Sequence, residues 1–304
     1  MNFDYFLQLS VNGVVNGAVY ALLGVGFGLI FGVTGRFHLA YGTTLVLAVY
    51  AASSLNDLGV PLYVAIVAGI VGGSATGVVF ERFLYRPLGD RPGSLMAVFV
   101  TALGLMTVTE ALLRIASGSN PRSLDPGFTV HRVSLGRGIG FTTLDVAIVG
   151  VAIACIGVLW LYLRSSERGR AMRATRTNPE LCRCVGINPD AVYLWVFAVG
   201  SAVVSVVGIM TSMRASVGPS AGLQPTFIAL AVAFTAGPLS GVVRLAASGL
   251  VIGLVESVSH LWISSQWNQA VVFGLLALYL VVAQAASAWG SLRLGARRHA
   301  AAEA

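Results

Sequence analysis

Nine apolar stretches, each about as long as a helix that crosses a lipid bilayer, constrain this chain more than any other feature. A transmembrane helix needs about 20 apolar residues, and in lipid the backbone polar groups are satisfied only within helices or closed barrels. We therefore predict an all-α polytopic membrane protein with about nine transmembrane helices. The predicted spans are residues 9–33, 39–55, 60–80, 94–116, 142–163, 191–213, 222–238, 241–262 and 268–288.

The composition excludes an ordinary soluble domain. Of the 304 residues, 56% are hydrophobic and 10% are charged, whereas soluble domains carry about 25% charged residues. The net charge of +7 rests on arginine, because the chain contains no lysine. The arginines collect at the ends of the apolar stretches, as membrane topology requires. We therefore expect contact with membrane lipid and no nucleic-acid partner.

The distribution of arginine predicts the orientation of the chain. Short loops rich in arginine stay on the cytosolic side, which places the N-terminus outside and the C-terminus in the cytosol if about nine spans alternate. Residues 164–190, with six arginines, then form a cytosolic loop, and residues 117–141 form a compact, irregular external loop. The span at 222–238 is short and contains Pro225, so a re-entrant half-helix is the alternative to the short full crossing that we predict.

The cytosolic loop contains the signals of a short docking helix. Asn178 is a typical N-cap residue, and Pro179 suits the first helical position. Gly186 is a typical helix stop, and Asn188-Pro189 precedes the next span. These signals predict a capped helix that is offered to a cytosolic partner. The alternative is that the arginines hold the loop at anionic lipid headgroups.

The same loop resembles the coupling loop of the branched-chain amino acid permeases of ABC importers, the LivH type. The resemblance rests on Gly169-Arg170-Ala171-Met172-Arg173-Ala174, on Glu180 and on Gly186-Ile187-Asn188. Further motifs follow in the order of the family, among them Glu81-Arg82 and Tyr85-Arg86-Pro87-Leu88. The resemblance implies that coupling to the ATPase involves Gly169, Arg170, Arg173, Glu180, Gly186 and Asn188.

This resemblance implies an ATP-driven importer in the bacterial inner membrane. Its cargo would be branched-chain or other small amino acids, or related polar solutes such as amides and urea. Its partners would be a second permease subunit in a heterodimer, two cytosolic ATPase subunits and a soluble substrate-binding protein. The chain itself shows no catalytic constellation, and we expect no cofactor and no metal site in it.

The solute and the energy source both have alternatives. His38-Leu39-Ala40-Tyr41-Gly42 stands where the family usually has Asn-Phe-Ala-His-Gly, which leaves the identity of the solute open. The rival class is a proton-coupled secondary transporter of a small polar solute, which would use Glu110, Glu256 and His260.

Five polar residues within the predicted spans are candidates for a solute path. Asn12 and Asn16 lie one turn apart on the first span and share a face with Tyr20. Glu110 and Glu256 are ionisable groups inside spans, where such groups are costly and tend to face cavities.

Each of these candidates also has a structural interpretation. The two amides can hydrogen-bond neighbouring helices, Glu110 can pair with Arg114 one turn onward, and the second glutamate can share a hydrogen bond with His260. His38 and Tyr41, at the inner end of a span, are expected to anchor at the membrane interface.

Glycines repeat every four residues on two of the spans. Small residues at this spacing let helices approach closely in lipid. We therefore predict helix-packing positions and expect the first and third spans to form the centre of the bundle. The glycines are Gly24, Gly28 and Gly32 on the first span and Gly69, Gly73 and Gly77 on the third.

Overall fold

The computed structural model describes residues 3–89, 94–134, 140–237, 240–262, 267, 270–274 and 277. The chain is mostly helical. Its elements are α1 (Phe3–Thr34), α2 (Tyr41–Asp57), α3 (Leu62–Val79), a π-helical segment (Phe80–Tyr85), α4 (Arg86–Gly89), α5 (Ser94–Ser117), β1 (Arg132–Ser134), β2 (Gly140–Thr142), α6 (Thr143–Ser165), α7 (Glu167–Thr177), α8 (Pro179–Cys184), α9 (Pro189–Arg214), α10 (Leu223–Ala236) and α11 (Val242–Ser259).

Six helical stretches among the described residues are long and apolar enough to cross a membrane. They are Asp4–Thr34, Leu62–Leu88, Met96–Ser117, Thr143–Ser165, Pro189–Arg214 and Val242–Ser259. The predicted spans at 39–55 and 222–238 correspond to the shorter helices α2, with 17 residues, and α10, with 14. Most of the predicted span at 268–288 lies outside the described residues. The chain is thus a polytopic helical membrane protein.

The helix α1 lies at the centre of the bundle, as predicted. It contacts α6, α9, α10 and α11. Its closest neighbour is α11, since a Cβ atom added at Gly253 would overlap the backbone of Gly17. Gly13 faces Leu254 and Gly17 faces Leu250, so the two helices run antiparallel. Backbones this close gain dispersion contacts that larger side chains would prevent.

Two of the three predicted glycines on α1 are packing positions. A Cβ atom added at Gly24 would overlap the side chain of Val232 on α10, and one added at Gly28 would crowd Leu245 on α11. The third, Gly32, is half-buried and borders a groove beside α7.

The predicted glycines on α3 also pack against neighbouring helices. Gly69 lies against the backbone of Ala48 on α2, and Cβ atoms added at Gly73 and Gly77 would overlap serine hydroxyls of α9. All three glycines are buried.

The prediction that α3 belongs to the centre of the bundle is nevertheless wrong. Its opposite face is open, with Tyr63 77% exposed and Val71 61% exposed. A glycine stripe needs one close neighbour on one side only, so it shows a packed face without placing a helix at the centre. α9, half of whose most apolar stretch is buried, takes the position beside α1 instead.

The short helix α10 begins inside the bundle. A Cβ atom added at Gly42 would overlap the carbonyl of Gly222, and the Gly42 amide donates to the Thr226 hydroxyl at 2.8 Å. At its other end, Phe234 packs against Phe31, with ring centroids 5.3 Å apart. A helix of 14 residues is about 21 Å long, less than the roughly 30 Å of the hydrocarbon core of a bilayer.

The loop at 117–141 contains regular structure that the sequence did not predict. β1 and β2 form an antiparallel hairpin in which Val133 pairs with Phe141. Arg122 forms an isolated bridge with Val217 and an ion pair with Asp57. The expectation of an irregular excursion is therefore wrong in part, because this short hairpin fixes one section of it.

Candidate solute path and coupling loop

A cavity of about 220 Å³ lies between α1, α2, α6, α9 and α10. A cavity needs only about 10–15 Å³ of water-accessible space to hold one water, so this one has room for a small solute. Its walls are mostly apolar, and its polar lining residues are Asn16, Tyr20, Thr211, Arg214 and Gln224. Two of the five predicted path residues, Asn16 and Tyr20, therefore line it.

Arg214, at the end of α9, is the cationic residue of this cavity. Its Nη1 donates to Asn16 Oδ1 at 3.0 Å, and its Nε lies 3.5 Å from Asp145 Oδ1. The Asp145 carboxylate also accepts from the amide of Thr142, at the N-cap of α6. These contacts hold the guanidinium at the cavity from two sides.

Sequence reasoning missed Arg214. An arginine at the end of an apolar stretch is typical of an interfacial anchor, so its position alone gave no reason to single it out. Only the folded chain brings Arg214 to Asn16, which lies far away in the sequence.

The N-terminus of α10 faces the same cavity through Gln224 and Pro225. Its N-cap residue, Gly222, has no side chain to cap the first turn, and Pro225 in that turn has no N–H, so the amides of Leu223 and Gln224 are the free donors of this end. The first N–H groups of a helix lack partners within the helix and carry a partial positive charge. The cavity thus combines a guanidinium, a helix N-terminus and apolar walls.

Glu256 adjoins the cavity without lining it. It is buried, and its carboxyl lies beside the hydroxyl of Tyr20. Among the described side chains it forms no ion pair with His260, and its Oε2 has no hydrogen-bond partner. Tyr20 therefore lines the cavity, and Glu256 contacts Tyr20 from the side away from the cavity.

Asn12 and Glu110 lie away from the cavity. Asn12 accepts a hydrogen bond from Gln8 at 3.2 Å, and Gln8 in turn bonds the backbone of Gly140. Glu110 pairs with Arg114 at 2.7 Å on the exposed helix α5. The contact of Glu110 matches its structural interpretation, whereas Asn12 bonds a residue of its own helix and not a neighbouring helix.

His38 and Tyr41 are not interfacial anchors, because both side chains are fully buried. The Tyr41 hydroxyl donates to the Leu23 carbonyl at 3.2 Å, and His38 Nδ1 lies 2.9 Å from the Tyr85 hydroxyl. Burial lowers the pKa of His38 to about 3, so its imidazole is neutral at physiological pH. The segment between α1 and α2 returns into the bundle, and no local pattern of residues predicts this.

The loop at 164–190 folds into the two helices α7 and α8. The Asn178 side chain caps α8, accepting from the amides of Glu180 and Leu181 at 3.0 Å, and Pro179 is in the first turn. Gly186 ends the segment with φ of +84°. These local features agree with the helix start and stop predicted from the sequence, and Asn188 additionally caps α9.

Other predicted coupling residues fix α7 against the end of α6. A Cβ atom added at Gly169 would overlap the Leu163 carbonyl, and Arg173 Nη1 donates to that same oxygen at 2.5 Å. Arg170 lies 3.5 Å from Glu167 within α7. The predicted set thus divides into residues that shape the loop and residues that face outward, such as Glu180.

Ion pairs join the end of this loop to the rest of the bundle. Arg86 pairs with Asp190, in the first turn of α9, at 2.6 Å. Arg36, just beyond α1, pairs with Glu81 and lies over the ring of Tyr193 on α9, 5.5 Å from its centroid. These contacts connect the start of α9, directly after the loop, with Arg36 at the end of the central helix α1.

Six helices that are long and apolar enough to cross a membrane, with a mostly apolar cavity beside the central helix that holds one guanidinium, fit a membrane transport protein. A family model described as "Branched-chain amino acid transport system / permease component" matches residues 9–281. The chain belongs to this family. It is a permease subunit of the ABC importer class and a multi-pass protein of the bacterial inner membrane.

Individual relatives agree with this assignment. The chain is similar to LivH, the permease protein of the high-affinity branched-chain amino acid transport system of Escherichia coli K12, with 30% identity over 92% of this chain and 94% of LivH. BraD, from the corresponding system of Pseudomonas aeruginosa, is 27% identical over 91% and 94%. The ribose import permease protein RbsC of E. coli K12 is more distant, with 25% identity over 92% and 84%.

A solved structure shares the fold. PsaBC from Streptococcus pneumoniae, in complex with Fab, aligns with a TM-score of 0.51 over 91% of this chain and 90% of that chain. At 14% identity, this likeness concerns the arrangement of helices alone.

Proposed function

We propose that this permease subunit imports a branched-chain or other small amino acid, and that the cavity beside α1 receives its carboxylate. The observation that carries the proposal is the convergence of Arg214 and the N-terminus of α10 on one small, largely apolar cavity. Several relatives are named as branched-chain amino acid permeases, which supports the same class of solute.

The chemistry of the cavity suits an amino acid with an apolar side chain. A guanidinium binds a carboxylate through charge-assisted hydrogen bonds, and a helix N-terminus adds favourable N–H groups. Transporters commonly place such ends of interrupted helices at their solute sites. Leu45, Ile148 and Met210 line the cavity and offer apolar surface to the side chain of the solute. An amide or urea carries no carboxylate for Arg214, whose charge is otherwise paired with Asp145 at 3.5 Å.

We further propose that the energy comes from two ATPase subunits, which dock on α7 and α8 of this chain and on a second permease subunit. α8 presents Leu181 and Val185, which are 63% and 74% exposed, beside the outward-facing Glu180. An apolar surface of this kind is typical of a contact with a partner. A soluble substrate-binding protein would deliver the solute to the opposite end.

The orientation follows from the same proposal. The N-terminus and the loop at 117–141 lie outside, and the loop at 164–190 and the C-terminus lie in the cytosol, with α2, α10 and residues 268–288 completing about nine crossings. Because α10 starts inside the bundle and ends beside Phe31, residues 215–236 support a crossing. An impermeant thiol reagent should label Ser119→Cys in intact cells and the exposed Cys184 only after permeabilisation; the reverse pattern would contradict this orientation.

The decisive experiment measures uptake in the native host. Deleting the gene should abolish uptake of leucine, isoleucine or valine, and the wild-type gene should restore it. In the complemented strain, Arg214→Gln should reduce amino-acid uptake by about tenfold or more, because a charge-assisted hydrogen bond contributes about 1.5–3 kcal/mol. Arg132→Gln, on the hairpin and away from the cavity, is the matched loss of one arginine and should behave as wild type.

The same strains identify the solute class. If the cargo is an amide or urea, the deletion should affect that solute, and Arg214→Gln should leave its uptake unchanged. Unchanged amino-acid uptake in Arg214→Gln at wild-type protein levels would refute the carboxylate role.

Coupling through α8 is tested with two glycines in equivalent conformations. Gly186 and Gly59 have φ of +84° and +85°, and a Cβ atom at either would meet open space. Valine imposes similar backbone strain at both, but only Gly186 lies beside the proposed docking helix. Gly186→Val should uncouple ATP hydrolysis from uptake in membrane vesicles that contain the assembled transporter, whereas Gly59→Val should not. Equal coupling in the two variants would argue against docking at α8.

A further inference from the structure

A groove of about 520 Å³ lies between α1, α6 and α11 beneath α7, separate from the solute cavity. Along α1 it is bordered by Gly28 and Gly32, which carry no side chain, and by Leu29 and Val33. Trp160 stands on the α6 side. Its walls are therefore apolar and belong to helices that cross the membrane.

Four arginines line the groove. They come from three elements: Arg164 ends α6, Arg173 and Arg176 lie on α7, and Arg244 is in the first turns of α11. Within the described part of the chain, none of the four forms an ion pair with a carboxylate, whereas six other arginines do. Positive charge is thus concentrated here without an acidic residue to balance it.

Two of these arginines are already positioned by neighbours. Arg173 donates to the Leu163 carbonyl, and the guanidinium of Arg164 lies over the Trp160 ring, 5.2 Å from its centroid. Arg176 is half-buried, and desolvation lowers its pKa. The other three arginines are exposed, but like charges along one groove repel one another, so an anion bound among them would stabilise the arrangement.

We propose that this groove binds one anionic phospholipid, with its phosphate between Arg176 and Arg244 and an acyl chain along the glycine face of α1. The charge requires an anion, and the apolar walls require a hydrocarbon chain attached to it. Basic pockets between membrane helices bind acidic lipid headgroups in this manner. The tryptophan at the rim suits the headgroup level of a bilayer.

The full-length protein, purified in mild detergent, allows a direct test by native mass spectrometry. It is incubated with phosphatidylglycerol or with phosphatidylcholine of identical acyl chains. Wild type should retain one phosphatidylglycerol and release phosphatidylcholine. Arg176→Gln with Arg244→Gln should weaken phosphatidylglycerol retention by at least about tenfold, since each basic residue near an anionic lipid contributes about 1 kcal/mol.

Matched variants separate the groove from general charge. Arg168→Gln with Arg183→Gln removes the same charge from exposed positions outside the groove and should retain the lipid. Arg176→Lys with Arg244→Lys keeps the charge and should retain it too. Gly32→Leu narrows the apolar part, keeps all four arginines and should lose the lipid. If the glutamine double variant does not fold, the single change Arg244→Gln and Gly32→Leu carry the test.

Several results would overturn the proposal. Retention of phosphatidylglycerol in both the glutamine double variant and Gly32→Leu would place the lipid elsewhere. Equal losses in the groove and control double variants would show attraction by overall charge alone. Thermal stabilisation of wild type by inorganic phosphate as large as that by phosphatidylglycerol would indicate a free-anion site, and equal retention of phosphatidylcholine would indicate apolar binding without a role for the arginines.

Discussion

The helices α1 and α5 are similar in sequence character and opposite in surroundings. Both are long and apolar enough to cross a membrane, but 67% of the most apolar stretch of α1 is buried, compared with 17% for α5. Arg36, just beyond α1, pairs with Glu81, and their side chains are 12% and 2% exposed. Glu110 and Arg114 pair within α5, with 27% and 48% of their side chains exposed.

The comparison shows that surroundings, and not residue type, set the importance of an ion pair. A buried charge that loses its partner keeps its desolvation penalty, whereas Arg114 lies one turn from the end of α5, where a long side chain reaches the membrane interface at little cost. The Arg36–Glu81 pair also joins the end of α1 to the π-helical segment, while the pair on α5 joins one helical turn to the next. Changes near α1 should therefore be severe, and equivalent changes on α5 should be mild.

The largest effect is expected at the buried pair. Arg36→Met leaves the Glu81 carboxylate buried without its partner and should lower the free energy of unfolding by about 3–5 kcal/mol. The matched change on α5, Arg114→Met, should cost less, because both side chains are more exposed and lie within two turns of the end of the helix. Thermal unfolding of the purified proteins in one detergent measures both.

A double variant sharpens this result. Arg36→Met with Glu81→Met removes both charges, so it should be more stable than Arg36→Met alone. Equal stability of wild type and Arg36→Met, or a double variant that is less stable than the single one, would show that this pair is not held in a desolvated site.

A smaller effect is expected for glycine. Gly253→Val must separate α11 from α1, because its Cβ would overlap the backbone of Gly17, and overpacking costs about 1–3 kcal/mol. Gly104→Val on α5 meets nothing within 4 Å and should be nearly neutral. Detergent melting temperatures of the two variants test the contrast, and a shift as large for Gly104→Val as for Gly253→Val would contradict it.

Local features of the fold could be predicted from the sequence. The helix start at Asn178-Pro179 and the stop at Gly186 depend on hydrogen bonds and dihedral angles within a few residues, and these follow residue type directly. The six predicted spans that coincide with helices long and apolar enough to cross a membrane needed only a count of apolar residues.

Features that depend on distant residues could not be predicted. The burial of the Glu81 carboxylate could not be predicted, because its partner Arg36 is 45 positions away in the sequence. Arg214 reaches the cavity only through the approach of α9 to α1, and the burial of His38 depends on a segment that turns back into the bundle. Residue type identified Glu110 as a candidate, although its surroundings are those of an exposed helix face.

The smallest effect is expected at Glu110, and it also distinguishes the two energy sources. Glu110→Gln replaces the carboxylate of an ion pair within one helical turn with an amide that still accepts a hydrogen bond from Arg114, so both stability and uptake should stay close to wild type. A proton-coupled carrier that used this carboxylate would lose transport, since an amide cannot release a proton. Uptake by wild type and variant should therefore persist when a protonophore collapses the proton gradient at maintained ATP, and stop when ATP is depleted. Loss of uptake in Glu110→Gln at normal protein levels, together with protonophore sensitivity, would favour the secondary transporter. It would also show that α5, although largely exposed, takes part in transport.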